Sequence, residues 1–222
     1  METLRDILDA AALGVFPPPD GCTTVVPQAS ARDAGVLAFT AHSVVFTDED
    51  PRWVYDTLAA LECDPLAATM NPAFLAAFMA RTGRTAETID AMFVGSPLPG
   101  RPALALAEIT DADHPRIAYA RGRRDDVRAW TTDGGVLVAG RGIGGRLEVS
   151  LEVDEDVRHR GLGRLLLTAA RQLVEEPLWA QVAPGNARST RAFQAAGYRP
   201  VGAEALLLSA RPRSAGCSDS RS

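Results

Sequence analysis

Lysine is missing from this chain: every cationic side chain among its 23 Lys+Arg positions is an arginine. A Walker-type phosphate loop is thereby excluded, because that loop needs its lysine on the nucleotide phosphates. Cysteine is scarce, and Cys22, Cys63 and Cys217 form no C-x-x-C pair and no metal-ligand spacing. Free thiols are expected, with neither a disulfide framework nor a zinc site. His42, His114 and His159 stand far apart, so no metal is expected. No apolar run reaches the about eighteen residues of a membrane span, so no membrane partner is expected either. Nor is there an excess of positive charge: the formal net charge is -5, whereas general nucleic-acid binders carry a basic face. The N-terminus, METLRDILDAAALGVFPPPDG, lacks the basic start of a signal peptide. Leu4, Ile7, Leu8 and Ala11 instead fall on one helical face. They predict a short docking helix and, with it, a cytoplasmic protein.

What is present is a chain of 222 residues and 46% hydrophobic composition, long enough for one large domain or two small ones with a substantial core. In the first half, Val36 to Thr47 is rich in β-formers and predicts a strand or hairpin. Asp50 followed by Pro51, and Asn71 followed by Pro72, read as N-caps of two helices, the second closed by Gly83. Met92 to Val94 predicts a short strand, and SPLPGRP marks a boundary near residues 96–102. We therefore expect an N-terminal segment, 1–102, that supplies helices, a hairpin and the first part of a sheet, and that serves as a lid or a degenerate second lobe. A core over 103–210 and a mobile tail over 211–222 follow. Within the core, LALAEIT predicts a strand, HPRIAYARGRR a short helix or turn, and DVRAWTTD and GVLVAG two strands joined at Asp133-Gly134-Gly135. RLEVSLEVD alternates cleanly, with Leu147, Val149, Leu151 and Val153 on one face and Glu148, Ser150 and Glu152 on the other. GLGRLLLTAARQLV places Leu162, Leu165, Leu166, Ala169 and Leu173 on one helical stripe. LWAQVAP, NARSTRAFQAAGY and VGAEALLLS follow as strand, helix and strand.

Two glycine clusters, GRGIGG and RHRGLG, flank the alternating strand. The first satisfies the dinucleotide fingerprint G-x-G-x-x-G through Gly140, Gly142 and Gly145. That fingerprint works only where it opens a helix whose N-terminus faces the pyrophosphate. GRGIGG opens a strand, so it predicts a tight turn between strands, and a nicotinamide enzyme is the lesser reading. RHRGLG joins a strand to an amphipathic helix. Its amides from His159 to Arg164 can converge on an anion there, with Arg158, Arg160 and Arg164 adding charge. A basic turn with glycines for packing is the alternative.

The strand-loop-helix with R-x-x-G-x-G (Arg158, Gly161, Gly163), then a strand, then N-x-x-S-x-x-x-F-x-x-x-G-Y (Asn186, Ser189, Phe193, Gly197, Tyr198), resembles the GCN5-related N-acetyltransferase (GNAT) family. The resemblance covers about residues 125–209. It implies an α/β (α+β) fold: a mixed, largely antiparallel sheet flanked by helices, here with an N-terminal helical/β extension. It implies acetyl-coenzyme A as co-substrate and an amine as acceptor, with the oligomeric state open and a homodimer among the options. Leu151 and Val153 would contact pantetheine where RLEVSLEVD splays from LWAQVA. Arg158, His159, Arg160, Gly161, Leu162, Gly163 and Arg164 would hold the pyrophosphate, and Asn186, Ser189 and Phe193 would flank the thiol end. Glu148, ahead of Glu152, is the candidate base that deprotonates the amine, unless both carboxylates are solvated or paired with arginine. Phe193 departs from the family, since many members have there a tyrosine that protonates the leaving thiolate. Tyr198 is expected in the core. Two readings result: an N-acyltransferase acting on a small amine or a protein amino group, and a catalytically weak relative that binds acyl-coenzyme A as a sensor or interaction module.

Overall fold

The computed structural model describes residues 2–110 and 114–209. The expected tail over 211–222, with Cys217, lies outside them. The elements run α1 (Leu4–Ala12), β1 (Thr23–Val26), β2 (Asp33–Phe39), β3 (His42–Phe46), α2 (Pro51–Ala59), α3 (Pro65–Ala68), α4 (Pro72–Thr82), β4 (Arg84–Thr85) and β5 (Ile89–Gly95). Then come β6 (Ala107–Ile109), α5 (Pro115–Arg121), β7 (Asp125–Thr132), β8 (Gly135–Arg141), β9 (Leu147–Val153), α6 (Leu162–Gln172), β10 (Leu178–Val182), α7 (Ala187–Ala195) and β11 (Arg199–Ser209). Among the described residues, no helix is long and apolar enough to cross a membrane.

All eleven strands among the described residues join one mixed sheet in the order β1-β3-β2-β11-β5-β10-β9-β8-β7-β6, with β4 added at the end of β11. Its pairs are antiparallel except β1 with β3 and β9 with β10. The fold class is the one that the sequence implies. Residues 96–102 fall in the connection from β5 to β6, but the two sides of that connection share the sheet. β5, from the first half, lies between β10 and β11 and pairs with both.

Local chemistry accounts for most of the elements. Thr3 and Asp6 form a capping box at the start of α1: the Asp6 amide donates to Thr3 Oγ1 at 3.2 Å, and the Thr3 amide to Asp6 Oδ2 at 2.9 Å. At its other end, Arg199 Nη2 donates to the carbonyls of Ala11 and Ala12 at 3.1 and 2.7 Å, a cation placed where the helix dipole is negative. The face carrying Leu4, Ile7, Leu8 and Ala11 is buried, as expected. Asp50 and Asn71 cap α2 and α4 ahead of a proline, and Gly83 closes α4 in the left-handed region at φ 64°. The stretch expected as a strand or hairpin is the hairpin β2–β3. By contrast, β5 runs well beyond Met92 to Val94, and β6 is shorter than LALAEIT.

Helix α6 corrects one expectation. Its buried residues are Leu166, Leu167, Ala169 and Ala170, while Leu165 is 38% exposed. The stripe is rotated by about one position, because α6 lies in the angle between the sheet and α7 and so needs apolar groups on two flanks. Burying a leucine contributes about 1.5–3 kcal/mol, so Leu167 carries stability that the sequence pattern assigned to Leu165. Helices α6 and α7 cover one face of the sheet around Leu137, Val149, Leu178 and Phe193. Helix α5 packs on the opposite face through Ile117 and Ala120 against Val136 and Val138, and α1 packs on that face near Trp179.

Candidate active site

The two parallel strands at the centre of the sheet separate almost at once. β9 and β10 pair only at Leu147–Leu178 and Glu148–Trp179, although β9 continues to Val153 and β10 to Val182. Beyond that point no described strand covers the β10 side of β9 from Val149 to Val153. The splay expected between these two strands is therefore present. A gap of this kind leaves backbone amides and carbonyls in need of partners, which suits an extended amide-bearing chain.

At the far end of β9 lies a cleft of about 690 Å³. Leu151, Val153, Arg158, His159, Gly161, Leu162, Gly163, Arg164, Asn186 and Ser189, all expected at a cofactor site, line it together. Gly161 is the N-cap of α6 at φ 85°, and no side chain caps the helix. A Cβ at Gly161 would meet nothing within 4 Å, so no neighbour crowds the start of the helix, whose first turn lines the cleft. His159 also has a positive φ, 66°, which turns the chain sharply ahead of the helix. Arg158 folds back so that its Nε donates to the Val153 carbonyl at 3.0 Å, tying the loop to the end of β9.

Arg116, Arg188 and Arg191 also line the cleft, against one carboxylate, Glu152. Five arginines converge here on a protein that is acidic overall, and a helix N-terminus points the same way. A polyanionic phosphate group fits these residues. Arg188 and Arg191 were missed by the sequence reading, although they lie three apart on α7 inside the motif it used, a spacing that shares a helix face.

Three expected residues are placed differently. Arg160 is exposed and does not line the cleft. Asn186 lines it, but its Oδ1 is committed to the Ser189 amide at 3.0 Å as the cap of α7. Phe193 is not in the cleft wall. It is 4% exposed and packs in the core, stacked on Phe93 at 5.9 Å and edge-on to Tyr198 at 5.0 Å. Its position on the inner flank of α7 turns the ring toward the sheet and away from the cleft. Tyr198 is buried as expected; its hydroxyl donates to the Leu167 carbonyl, and burial pushes its pKa up.

On the other face of the sheet is a second cavity, of about 240 Å³. It shares Arg116 with the first, and its wall includes Glu148, Ser150, Asp33, Asp90 and Gln181. Glu148 is not the free carboxylate that a general base requires. Arg146 Nε donates to its Oε1 at 2.8 Å, and Arg124 Nε to its Oε2 at 2.9 Å. Burial opposes its charge, but the two guanidinium groups outweigh burial and hold its pKa below the usual carboxylate range. Arg146 reaches on to Glu204 Oε2 at 2.7 Å and lies over the Trp179 ring at 5.1 Å. The chain Arg124–Glu148–Arg146–Glu204 thus crosses the sheet as a buried network. Glu152 is paired as well, with Arg116 at 3.2 Å. Of the roles weighed for these carboxylates, pairing with arginine is the one found for both.

GRGIGG now has its explanation. It forms the connection from β8 to β9, with Gly144 and Gly145 at φ 57° and 74° and the Gly142 amide bonded to the Arg146 carbonyl at 2.9 Å. A Cβ on Gly142 would sit 2.1 Å from Glu148 Oε1. Gly142 makes room for a buried carboxylate, and a strand, not a helix, follows the turn.

Residues 105–198 match the model of the acetyltransferase (GNAT) family. Among solved structures, similar ones include a GCN5-related N-acetyltransferase from Kribbella flavida, with 22% identity over 62% of this chain and 64% of that one and a TM-score of 0.41. A putative acetyltransferase from the GNAT family from Novosphingobium aromaticivorans DSM 12444 has 18% identity over 58% and 69%, TM-score 0.40. A tandem GNAT protein from the clavulanic acid biosynthesis pathway has 18% identity over 62% and 59%, TM-score 0.37. The chain spans less than two thirds of the length of the first and third of these. No curated protein matches.

Proposed function

We propose that this chain, whose residues 105–198 belong to the GNAT acetyltransferase family, transfers an acetyl or acyl group from acetyl-coenzyme A to a primary amine. The observation that carries the reading is the splay of β9 from β10, opening beside an arginine-rich cleft at the bare N-terminus of α6. The first-turn amides of α6, with Arg158 and Arg164, would hold the pyrophosphate, and Arg188 and Arg191 would take further phosphate charge. The free edge of β9 from Val149 to Val153 would receive the pantetheine amides and set the thioester in the gap. Holding thioester and amine together there supplies much of the rate through proximity, and an edge amide facing the thioester carbonyl stabilises charge that develops on its oxygen.

Arg158→Glu combined with Gly161→Asp tests the cofactor site. Two carboxylates would then face the phosphates, one of them on a backbone that favours glycine. Calorimetry should show acetyl-coenzyme A binding weakened at least a hundredfold in the folded variant; unchanged affinity refutes the assignment. Phe193 supports a second reading, because no tyrosine hydroxyl stands at that place on α7 to protonate the thiolate. In that reading the protein binds acyl-coenzyme A without turnover. A thiol pKa of about 8.5 makes the thiolate a tolerable leaving group, so slow transfer is favoured over none. Thiol release from acetyl-coenzyme A over a panel of amines separates the two: tight binding without release on any amine supports the sensor.

A further inference from the structure

The cavity opposite the cofactor cleft is walled by charge that cancels almost completely. Glu87, from the connection before β5, pairs with Arg123 at 3.0 Å. Asp33, on β2, pairs with Arg32 at 3.0 Å. Glu148, on β9, is held by Arg124 and Arg146, the latter shared with Glu204 behind the wall. The third arginine of the wall, Arg116, is taken by Glu152. Asp90, on β5, is the exception: among the described residues it has no cationic partner. Its Oδ1 is buried without a hydrogen bond, and so is Nε2 of Gln181, on the neighbouring strand. The two do not bond to each other. Gln181 lies near enough to Glu148 to help hold its charge, yet its Nε2 falls outside hydrogen-bond geometry.

Buried polar groups in folded proteins are almost always partnered, and an uncompensated carboxylate in a cavity calls for a cation that donates hydrogen bonds. We propose that Asp90 binds the ammonium group of the acceptor in this cavity and removes its proton, the role that the ion pairs deny to Glu148. The inference rests on the acyltransfer reading and names its acceptor class as a primary alkylammonium, from a free amine or from a lysine side chain. Burial, and after it the charge of Glu87, raises the Asp90 pKa above the ordinary aspartate value, which makes it a better base than Glu148. Glu204 stands directly across from it in the register of β5 and β11. In the reaction the Asp90 carboxylate takes one proton from R–NH3+. The freed lone pair forms the C–N bond at the thioester carbon, the C–S bond breaks with its electron pair going to sulfur, and a second nitrogen proton ends on the thiolate. Amide and thiol result, and Asp90 returns its proton to solvent.

The test compares wild type with Asp90→Asn and Asp90→Glu. Calorimetry with acetyl-coenzyme A comes first, and affinity should agree within twofold in all three. Failure of wild type to bind it defeats the acyltransfer reading itself. Next, n-butylammonium and an end-blocked lysine tripeptide are titrated at constant ionic strength, with n-butanol as neutral control, and followed by NMR. At least one ammonium probe should bind wild type and lose affinity tenfold or more in Asp90→Asn, with partial recovery in Asp90→Glu and no change for butanol. Binding of the amine alone marks a small-molecule site, and binding of the peptide a protein amino group. The wild-type affinity should fall as pH drops through the Asp90 titration, and that dependence should vanish in Asp90→Asn. Where thiol is released, the acid limb of kcat/KM should vanish with it. Equal ammonium affinity in wild type and Asp90→Asn, or acetyl-coenzyme A binding with no ammonium bound, overturns the proposal.

Discussion

Glu204→Gln isolates the cost of the buried network. Glu204 is 1% exposed, with Oε2 on Arg146 and Oε1 unpartnered. Burial pushes its pKa from 4.5 up to about 7, outweighing the attraction of Arg146, while Glu148 and Asp90 add repulsion. The folded protein therefore holds a proton that the unfolded chain has already released above pH 4.5. The stability this provides is fully present below that pH and is lost as pH climbs through 7. Each tenfold difference in proton affinity is about 1.4 kcal/mol, so the whole loss is about 3 kcal/mol. Glutamine imitates the protonated acid at every pH. Relative to wild type, the variant should be close to neutral at pH 5 and gain about 3 kcal/mol by pH 8. Glu148 does not confuse the reading, because its pKa is depressed: its contribution is present above pH 4.5 and is lost only below it. Urea unfolding of both proteins at pH 5, 6.5 and 8 gives the difference directly. A difference that changes by less than about 1 kcal/mol across this range would falsify the account of Glu204 as a strained buried acid.

Four further substitutions probe packing. Leu167→Ala should cost about 2–5 kcal/mol and Leu165→Ala less than about 0.5, as measured by chemical denaturation; equal costs would contradict the burial found on α6. Gly142→Ala should destabilise by about 2–4 kcal/mol, since its Cβ displaces the Glu148 carboxylate and uncouples a buried ion pair; a cost under about 0.5 kcal/mol would mean that the carboxylate can move aside freely. Phe193→Tyr should fail to raise acetyl transfer and should cost about 1–3 kcal/mol, because its hydroxyl would be buried between Phe93 and Tyr198; a faster enzyme of unchanged stability would show that the ring can swing to the thioester.

The cleft proposed for the phosphates was legible in the sequence because its wall is local. A strand, a glycine loop and a helix start are contiguous, and their amides and arginines arrive together by construction. The capped starts of α2 and α4 were legible for the same reason: a cap and its helix are neighbours. The carboxylates were not, since their behaviour depends on partners far along the chain. Nothing in RLEVSLEVD reveals that Arg124 and Arg146 close on Glu148, or that Glu204 lies beyond them. Asp90 was passed over inside IDAMFVG, a stretch whose apolar residues announce a strand and whose acid announces nothing. Its neighbours on β10 and β11 are about 90 and 110 residues away in sequence, a separation that no local pattern encodes. Leu165 failed differently, because a helix wedged between a sheet and a second helix buries a wider arc than a single stripe describes.

The place of β5 bears on the function of the first half. The stretch that matches the family model ends at Tyr198 and begins after β5. Within that stretch β10 has only two paired positions, both with β9. The remaining backbone pairing of β10 comes from β5, which pairs with it along its full length from Leu178 to Val182. A strand held by two positions cannot keep a fixed gap from its neighbour, since a paired edge is what rigidifies a strand. The width of the splay, and so the proposed seat for the thioester, thus depends on residues that lie outside the family match. The same strand carries Asp90 to the opposite cavity. One segment of the N-terminal half therefore braces the proposed cofactor gap with its backbone and presents a carboxylate to the cavity on the other face. Loosening β5 should weaken cofactor binding and acceptor binding together, whereas Asp90→Asn should touch the second alone.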